Sequence, residues 1–311
     1  MKAAVYDEYG PPEVVRLAEL DEPAPAANEL LVKVRATTVA AGDWRMRKAD
    51  PLLARLYNGL FKPRRVRVLG FELAGEVEAV GSAVRRFKPG EHVFAFTGFG
   101  FGAHAEYRCL AESGEIMKVG LVAHKPANLS FEQAAAVPVG GLTAQGFLRR
   151  AGVRPGERVL VYGASGSVGT FAVQLARYLG AQVTGVCSAA NVALVRSLGA
   201  DEVIDYTSED FTQRGRVFDV VFDAVGRCAA SRSRRVLKRG GRRVSVTGSP
   251  QLRPGDLERL QELIEEGKLT PVIDRRYPLE QIVDAHRYVE AGHKKGNVVL
   301  IVSQGGRAPE R

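Results

Sequence analysis

A glycine-rich segment near the middle of the chain constrains the fold more than any other feature. Residues 158–162 (RVLVY) have the composition of a buried strand, residues 163–169 (GASGSVG) follow directly, and 168–179 have the apolar spacing of a long helix. A glycine-rich match placed between a strand and a helix is typical of a dinucleotide-binding loop, whereas the same match elsewhere is weak evidence. A purely structural turn is the alternative interpretation.

Strand and helix patterns alternate from this loop onward. Further strands are predicted at 182–187, 202–205, 219–225 and 243–247, and helices at 191–198 and 257–266. Strands that are apolar on both faces and separated by helices form parallel sheets covered on both sides. We therefore predict an α/β fold built on a doubly wound parallel sheet.

The rest of the chain has a different pattern. Short strands at 30–36, 73–81 and 93–96, separated by turns, predict a β-barrel-like first half up to about residue 126, followed by helices at 131–136 and 142–150. A strand at 271–277, a helix at 279–291 and a strand at 298–302 are expected to rejoin that first half. The predicted domains are therefore 1–129 with 269–311, and 130–268. Residues 305–311 have the composition of a disordered tail.

The loop chemistry fits a pyrophosphate. With the motif registered on Gly166 and Gly169, Ala164 takes the place of the first glycine. Gly166 lets backbone amides approach the phosphates, Gly169 lets helix and strand pack closely, and the helix N-terminus offers unpaired N–H groups. The predicted cofactor-binding residues of this sheet are Gly163, Ser165, Gly166, Ser167 and Val168 in the loop, with Val225 and Gly248 at the ends of the fourth and fifth strands.

The end of the second strand indicates which dinucleotide is bound. An NAD site usually offers Asp or Glu to the ribose hydroxyls at this point, whereas this chain has CSAAN at 187–191. No carboxylate there repels a 2′-phosphate, and hydroxyl and amide groups could bind one. NADPH is therefore favoured over NADH, although no Arg or Lys is present.

Composition argues against several other classes. No apolar run reaches the ~18 residues that cross a bilayer, so no membrane partner is expected. The N-terminus has no targeting pattern, and three widely spaced cysteines suit a reduced compartment, so we expect a cytoplasmic protein. Lys and Arg total 44 against 35 Asp and Glu, but the basic run at 231–235 has no nucleic-acid motif beside it. We interpret that run as a solvated helix face and expect no nucleic-acid partner.

Six motifs together resemble the medium-chain dehydrogenase/reductase superfamily, specifically its zinc-independent quinone oxidoreductase branch, over nearly the whole chain. They are VEAVG at 77–81, FKPG at 87–90, AAAVP at 134–138, GLTA at 141–144, the glycine-rich loop, and LGAD at 198–201. The resemblance implies a GroES-like substrate domain, a Rossmann cofactor domain and a cleft between them. It also implies that Thr143 lies near the nicotinamide and that Ser188, Asn191 and Tyr206 surround the adenosine phosphate. Many relatives have a lysine in place of Asn191.

The side chains at the family's metal position predict a metal-free site. A catalytic zinc needs three ligands from Cys, His or carboxylate. Ala40 takes the place of the family's cysteine and Phe71 that of its histidine, which leaves Glu72 alone. Without zinc, no Lewis acid polarises an isolated ketone or alcohol, so a quinone or enone is the better substrate.

Candidate hydrogen-bond donors for that substrate lie at 43–47, a segment that the resemblance places at the cleft. We predict Asp43, Trp44, Arg47 and Thr143 as catalytic residues that stabilise negative charge developing on the substrate oxygen. Asp43 could instead cap a helix, and Trp44 could belong to the core. Water could supply the proton.

One departure from the family concerns assembly. After 247–250 (TGSP), residues 251–255 lead almost directly into the helix at 257, so the pattern lacks a sixth sheet strand. That strand commonly forms the dimer edge in the superfamily. We therefore expect five strands and place the usual homodimer in doubt.

Three functions are compatible with these observations. The first is an NADPH-dependent reductase of a quinone or α,β-unsaturated carbonyl, with a small-molecule substrate as its partner. The second is a zinc-free, NADP-dependent alcohol or carbonyl dehydrogenase. The third is an NADPH-binding protein with little or no turnover. NADPH oxidation against a quinone and enone panel separates them.

Overall fold

The computed structural model describes residues 1–302, so the predicted tail at 305–311 lies outside the described residues. Two compact units are present: Met1–Pro138 with the chain from Ile273 on, and Val139–Val272. No helix within the described residues is long and apolar enough to span a membrane.

Fourteen strands are present within residues 1–302. They are β1 (Lys2–Tyr6), β2 (Val15–Glu19), β3 (Glu29–Thr38), β4 (Glu72–Val80), β5 (His92–Phe96), β6 (Tyr107–Ala111), β7 (Leu121–His124), β8 (Arg158–Tyr162), β9 (Gln182–Cys187), β10 (Glu202–Asp205), β11 (Phe218–Asp223), β12 (Leu237–Ser245), β13 (Ile273–Pro278) and β14 (Asn297–Ile301). Ten α-helices accompany them in the same part of the chain. They are α1 (Ala41–Lys48), α2 (Ala54–Asn58), α3 (Ile116–Val119), α4 (Phe131–Ala135), α5 (Pro138–Ala151), α6 (Ser167–Tyr178), α7 (Val192–Ser197), α8 (Ala230–Val236), α9 (Asp256–Glu265) and α10 (Ile282–Glu290).

The second unit contains a five-stranded sheet in the order β10-β9-β8-β11-β12, with every neighbouring pair parallel. Val159, Leu160 and Val161 of the central strand β8 are all fully buried, which requires cover on both faces of the sheet. The prediction of a doubly wound parallel sheet with five strands is confirmed. β12 is longer than predicted and starts at Leu237 rather than at residue 243.

The first unit contains a seven-stranded sheet, mainly antiparallel, in which β14 pairs with β3 and β13 lies beside β14. The C-terminal strands therefore rejoin the first half of the chain, as expected. The prediction of strands and turns alone for that half was wrong at residues 41–58, which contain α1 and α2. Local hydrophobic periodicity is weak in such short helices, and tertiary packing determines them.

The boundaries between the units differ from the predicted 130 and 268. Helix α4 packs on β3 and β4 of the first unit, and the Asn297 amide donates to the Ala136 carbonyl at 3.1 Å. Residues up to Pro138 therefore belong with the first unit. At the other end, the Gln174 side chain accepts from the Thr270 N–H at 2.8 Å and donates to its carbonyl at 3.1 Å, which keeps residues 269–272 with the second unit.

Candidate functional site

The turn after β8 is determined by a glycine in the left-handed region. Gly163 has a φ of 81°, and a Cβ there would lie 2.0 Å from Cγ2 of Val225. The N–H groups of Gly163 and Ala164 both donate to the Val186 carbonyl, each at 3.0 Å. A side chain at position 163 would therefore displace Val225, which is itself a predicted cofactor residue.

Helix α6 begins very close to this turn. A Cβ on Gly169 would lie 2.1 Å from the Gly163 carbonyl oxygen, so only glycine permits this packing distance. Gly166 is the N-cap residue, and no side chain caps the helix. The first N–H groups of α6 thus lie at the positive end of the helix, where an anion is stabilised.

Neither the backbone conformation nor close packing within the protein requires glycine at position 166. Its φ of −79° suits any residue, and a Cβ there would meet only the Gly163 carbonyl oxygen at an ordinary 3.6 Å. A methyl group would instead occupy space beside the amides that begin α6. Open space at this position is what the role predicted for Gly166, the approach of a pyrophosphate to the backbone, requires.

Three predicted cofactor residues come together at the ends of β8 and β9. The Asn191 amide donates to the Ser165 hydroxyl at 3.3 Å and to the Ser188 hydroxyl at 3.2 Å. All three side chains are only partly buried, so their remaining hydrogen-bonding capacity is open to a ligand. The cluster is uncharged and can bind phosphate oxygens through its two hydroxyl donors, since both N–H groups of the Asn191 amide are used within the cluster.

A carboxylate that the sequence pattern missed lies beside this cluster. Asp205 ends β10 and is the register partner of Cys187 on β9. Its pKa is lowered, first by the Thr207 N–H and then by the hydroxyl of that residue, with weaker help from Ser208 and the Ala189 N–H. Because these donors use its lone pairs, Asp205 organises the turn on which the exposed Tyr206 lies. An Asp closing the third strand was the signal available in the sequence.

The ends of β11 and β12 are joined by a second missed carboxylate, the fully buried Asp223. It accepts from the N–H groups of Val225 (3.3 Å), Gly226 (2.8 Å), Arg227 (3.3 Å) and Cys228 (3.2 Å), from the Ser245 hydroxyl (3.0 Å) and from Nη2 of Arg243 (3.2 Å). Strand β11 ends at Asp223 because the Asp223 carboxylate accepts hydrogen bonds from the N–H groups of the residues that follow it. Gly248 is positioned in turn by its own N–H, which donates to the Ser245 carbonyl at 2.9 Å.

Thr143 lies on α5 near the start of α6. A Cβ on Gly140, one turn earlier on α5, would lie 2.9 Å from Oγ of Ser167, so the two helices begin almost in contact. Thr143 is half-buried, and within residues 1–302 its hydroxyl has no hydrogen-bond partner. Its predicted place near the nicotinamide stays a prediction, but the hydroxyl is free to donate.

The remaining predicted catalytic residues lie on α1 of the first unit. Asp43 is fully buried and accepts from the Ala40 N–H at 2.7 Å and from the Gly70 N–H at 2.8 Å, so it closes the N-terminus of α1. Burial raises the pKa of this carboxyl, and the nearby His104 opposes the shift. These contacts agree with the alternative interpretation of Asp43 as a helix cap. Trp44 is half-buried against the core of this unit.

Arg47 is completely buried and paired with Glu290 on α10, which also accepts from Lys48 at 2.7 Å. Burial lowers the pKa of the Arg47 guanidinium, and the Glu290 carboxylate opposes that shift. Nε and Nη1 of Arg47 have no hydrogen-bond partner in the described part of the chain. In this structure Arg47 ties α1 to α10 within the first unit, and its catalytic role stays a prediction.

Phe71, which the resemblance places where the family has a histidine ligand, has its ring packed inside the first unit. A Cβ on Gly42 would lie 2.3 Å from Cε2 of Phe71, and the Phe71 and Phe101 ring centroids are 4.1 Å apart. Glu72 is buried and accepts from the Thr38 hydroxyl. Within residues 1–302 no group of three His, Cys, Asp or Glu side chains could hold a metal ion.

Known proteins are similar to this chain over nearly all of its length. Family models match three segments: the alcohol dehydrogenase GroES-like domain at residues 26–121, and zinc-binding dehydrogenase at 167–270 and 249–300. The chain is 35% identical over 324 residues to an NADPH-dependent alkenal/one oxidoreductase, chloroplastic, of Arabidopsis thaliana, covering 96% of this chain and 79% of that protein. It is 36% identical over 321 residues to a 2-methylene-furan-3-one reductase of Solanum lycopersicum, with the same coverage of 96% and 79%.

A solved structure agrees with these relatives. The quinone oxidoreductase from Coxiella burnetii superposes with a TM-score of 0.86 at 32% identity, covering 97% of this chain and 99% of that one.

Proposed function

Since the chain belongs to the medium-chain dehydrogenase/reductase superfamily, among its quinone oxidoreductase-like members, we propose that it is an NADPH-dependent, zinc-independent enzyme that reduces a quinone or an α,β-unsaturated carbonyl. The observation that carries the proposal is the open space at Gly166 next to the uncapped start of α6, with the Ser165, Ser188 and Asn191 side chains beside it. Relatives named for NADPH-dependent alkenal/one and furanone reduction support the substrate class.

Different residues at the carboxyl ends of the parallel strands bind different parts of the cofactor. The N–H groups at the start of α6 bind the pyrophosphate, and Gly166 leaves room for it. The Ser165 and Ser188 hydroxyls, both held by the Asn191 amide, donate to the 2′-phosphate, and Tyr206 flanks the adenosine. Val225 and Gly248, both positioned through the Asp223 turn, line the ends of β11 and β12. When bound, NADPH supplies the hydride.

The substrate needs only weak electrophilic assistance. A conjugated oxygen gains negative charge when the far carbon accepts hydride, and a few hydrogen bonds stabilise that charge. Among the predicted donors, Asp43 accepts hydrogen bonds at both carboxyl oxygens, and the fully buried Arg47 is paired with Glu290. We therefore assign the donor role to the Thr143 hydroxyl, which has no hydrogen-bond partner among residues 1–302. The catalytic role of Trp44 stays a prediction. Water supplies the proton.

A metal is not part of this proposal. Phe71 takes the sequence position that the resemblance gives to the family's histidine ligand, and its ring is packed against Gly42 and Phe101. Ala40 offers no ligand atom. Two of three ligand positions therefore cannot contribute, and a zinc ion needs at least three protein ligands for catalysis.

NADPH oxidation, followed by absorbance against a panel of quinones and enones, tests the proposal. We expect turnover with NADPH, weaker turnover with NADH and no effect of a chelator. Tight NADPH binding without turnover on any member of the panel would instead favour a binding protein. NADP⁺-dependent alcohol oxidation would favour a dehydrogenase, and loss of activity on chelation would overturn the metal assignment.

The donor assignment has its own test. Thr143→Val should lower kcat by about 100-fold, the usual loss on removing one donor to a developing oxyanion. Ser197→Ala is the matched control, because it removes a hydroxyl from the exposed end of α7. Equal rates for Thr143→Val and Ser197→Ala would contradict the assignment.

A further inference from the structure

Exposed large hydrophobic side chains are concentrated in one short stretch of the first unit. Eleven large hydrophobic side chains are exposed within residues 1–302, and five of them fall between positions 52 and 61. We call these five the apolar patch: Leu52 (72% exposed), Leu53 (70%), Leu56 (75%), Leu60 (56%) and Phe61 (87%). Clustered exposure of this kind on a globular protein marks an interaction site, whereas single exposed side chains do not.

The apolar patch projects because the opposite side of the same segment is firmly attached. Asn58 is fully buried, donates to the Tyr6 hydroxyl at 2.7 Å and accepts from the Val66 N–H at 2.7 Å. The Tyr9 hydroxyl donates to the Gly59 carbonyl at 2.7 Å. The backbone of α2 is thus held from within, and burying the leucines inside the unit would require breaking these contacts.

Within residues 51–71 the charged side chains all have one sign, and the exposed Asp50 precedes them. Residues 51–71 contain Arg55, Lys62, Arg64, Arg65 and Arg67 and no Asp or Glu. Arg67 is paired with Asp7, whereas Lys62, Arg64 and Arg65 pair with no carboxylate anywhere in residues 1–302. We call Lys62, Arg64 and Arg65 the basic rim. All three are exposed.

We propose that the apolar patch and the basic rim dock the protein onto the surface of an anionic lipid bilayer. Apolar side chains next to Lys and Arg, with no acidic residue among them, are typical of segments that lie in the interface without crossing it. The expectation of no membrane partner was based on the absence of a spanning run, and that absence does not exclude interfacial docking.

A second copy of the chain is a poorer occupant than a lipid surface. A symmetric dimer through this face would bring two basic rims together, with no carboxylate at 51–71 to neutralise them. A bound peptide needs a groove, whereas these leucines and Phe61 project by more than half of their surface. A fluid anionic surface accepts projecting apolar groups and attracts the rim at the same time.

The experiment is co-sedimentation of the full-length chain with vesicles of 30% phosphatidylserine in phosphatidylcholine, and with phosphatidylcholine alone. One variant combines Leu53→Ser, Leu56→Ser and Phe61→Ser, and another combines Lys62→Gln, Arg64→Gln and Arg65→Gln. The charge-matched control combines Arg216→Gln, Arg235→Gln and Arg239→Gln, which are exposed basic residues of the second unit. The apolar control is Met117→Ser, exposed by 37% on α3.

We expect wild type and both controls to bind the anionic vesicles in a salt-sensitive way and to bind pure phosphatidylcholine weakly. Loss of the basic rim should weaken binding by about 100-fold, because each Lys or Arg near an anionic surface contributes a factor of about five. Loss of the apolar patch should weaken it at least about tenfold. Unchanged thermal unfolding would show that the variants are folded.

Several results would overturn the proposal. Wild type could fail to bind, or the charge-matched control could lose as much binding as the basic-rim variant, which would make net charge the sole cause. Dissociation of a dimer by the apolar-patch variant in light scattering, without any vesicle binding, would assign this face to a second copy. The readout is lipid binding, so it is independent of the proposed enzymatic function.

Discussion

Gly166 and Gly169 lie three residues apart at the start of α6, and a methyl group at each would meet very different surroundings. On Gly166 it would touch only the Gly163 carbonyl oxygen at 3.6 Å, with an ordinary φ of −79°. On Gly169 it would lie 2.1 Å from the same oxygen. Gly166→Ala should therefore affect the ligand, whereas Gly169→Ala should affect the protein.

The magnitudes follow from these distances. A carbon and a carbonyl oxygen in contact lie about 3.3 Å apart, so Gly169→Ala must move α6 from the turn by roughly 1.2 Å. Overpacking of this kind costs about 1–3 kcal/mol of unfolding free energy. Gly166→Ala should change that free energy by less than about 1 kcal/mol, because alanine restricts the unfolded chain whereas glycine is the better N-cap residue.

Cofactor affinity should respond in the opposite sense. A methyl group at position 166 separates the pyrophosphate from backbone amides, and one hydrogen bond to a charged group contributes about 1.5–3 kcal/mol. The Kd of NADPH should rise by roughly 10- to 150-fold for each such bond lost. Fluorescence titration with NADPH measures the Kd, and thermal unfolding without cofactor measures the stability.

Two outcomes would refute this reasoning. Gly166→Ala could bind NADPH within twofold of wild type, which would mean that the space beside α6 does not hold the phosphates. Alternatively, Gly166→Ala could unfold as easily as Gly169→Ala, which would mean that glycine is required at 166 by the fold itself.

Burial lowers the pKa of His286 well below its ordinary 6.5, and the nearby His104 and Arg47 add to the effect. As the pH falls below 6.5 the unfolded chain binds this proton before the folded one, so the unfolding free energy should fall by up to about 1.4 kcal/mol per pH unit. Urea unfolding at pH 7.5 and 5.5 should show that the unfolding free energy of His286→Leu depends less on pH than that of wild type. An identical pH dependence in the two proteins would contradict burial of His286 as the cause. Asn191→Lys should lower the Kd of NADPH by about tenfold and leave that of NADH unchanged, since only NADPH has a 2′-phosphate for the new cation; an equal gain for both would argue against the assigned contact. Strand β12 pairs only with β11 among the described strands and exposes a basic run at 238–243, which resists strand pairing. Light scattering should therefore show no dimer formed through β12. A dimer of the Arg239→Cys variant that becomes disulfide-linked at that position would contradict this prediction.

The cofactor unit was predictable because its signals are local. Apolar strands, a glycine turn and a helix follow one another along the chain, and each pattern depends on near neighbours. The parallel sheet of five strands and its glycine loop were therefore predicted correctly. The predicted strand ends were less accurate. Strand β11 ends at Asp223 rather than at Val225, because the Asp223 carboxylate accepts hydrogen bonds from the N–H groups that follow it.

The first unit was less predictable because its contacts join distant residues. Arg47 pairs with Glu290, 243 positions away. The Asp43 carboxylate accepts from the N–H of Gly70, 27 positions away. A pattern at 43–47 cannot distinguish a buried cap or a buried ion pair from a donor facing substrate, since the same residue types serve all three.

By itself, the sequence determined the fold class, the strand-turn-helix that we propose as the dinucleotide site, and the absence of ligand atoms at Ala40 and Phe71, because each of these depends on residue type and local spacing. Only the tertiary structure decided that Asn191 joins Ser165 to Ser188, and that Asp205 lies beside the second strand. It alone also decided that five apolar side chains between 52 and 61 face outward. Those facts depend on which distant segments pack together, and packing is a property of the whole chain.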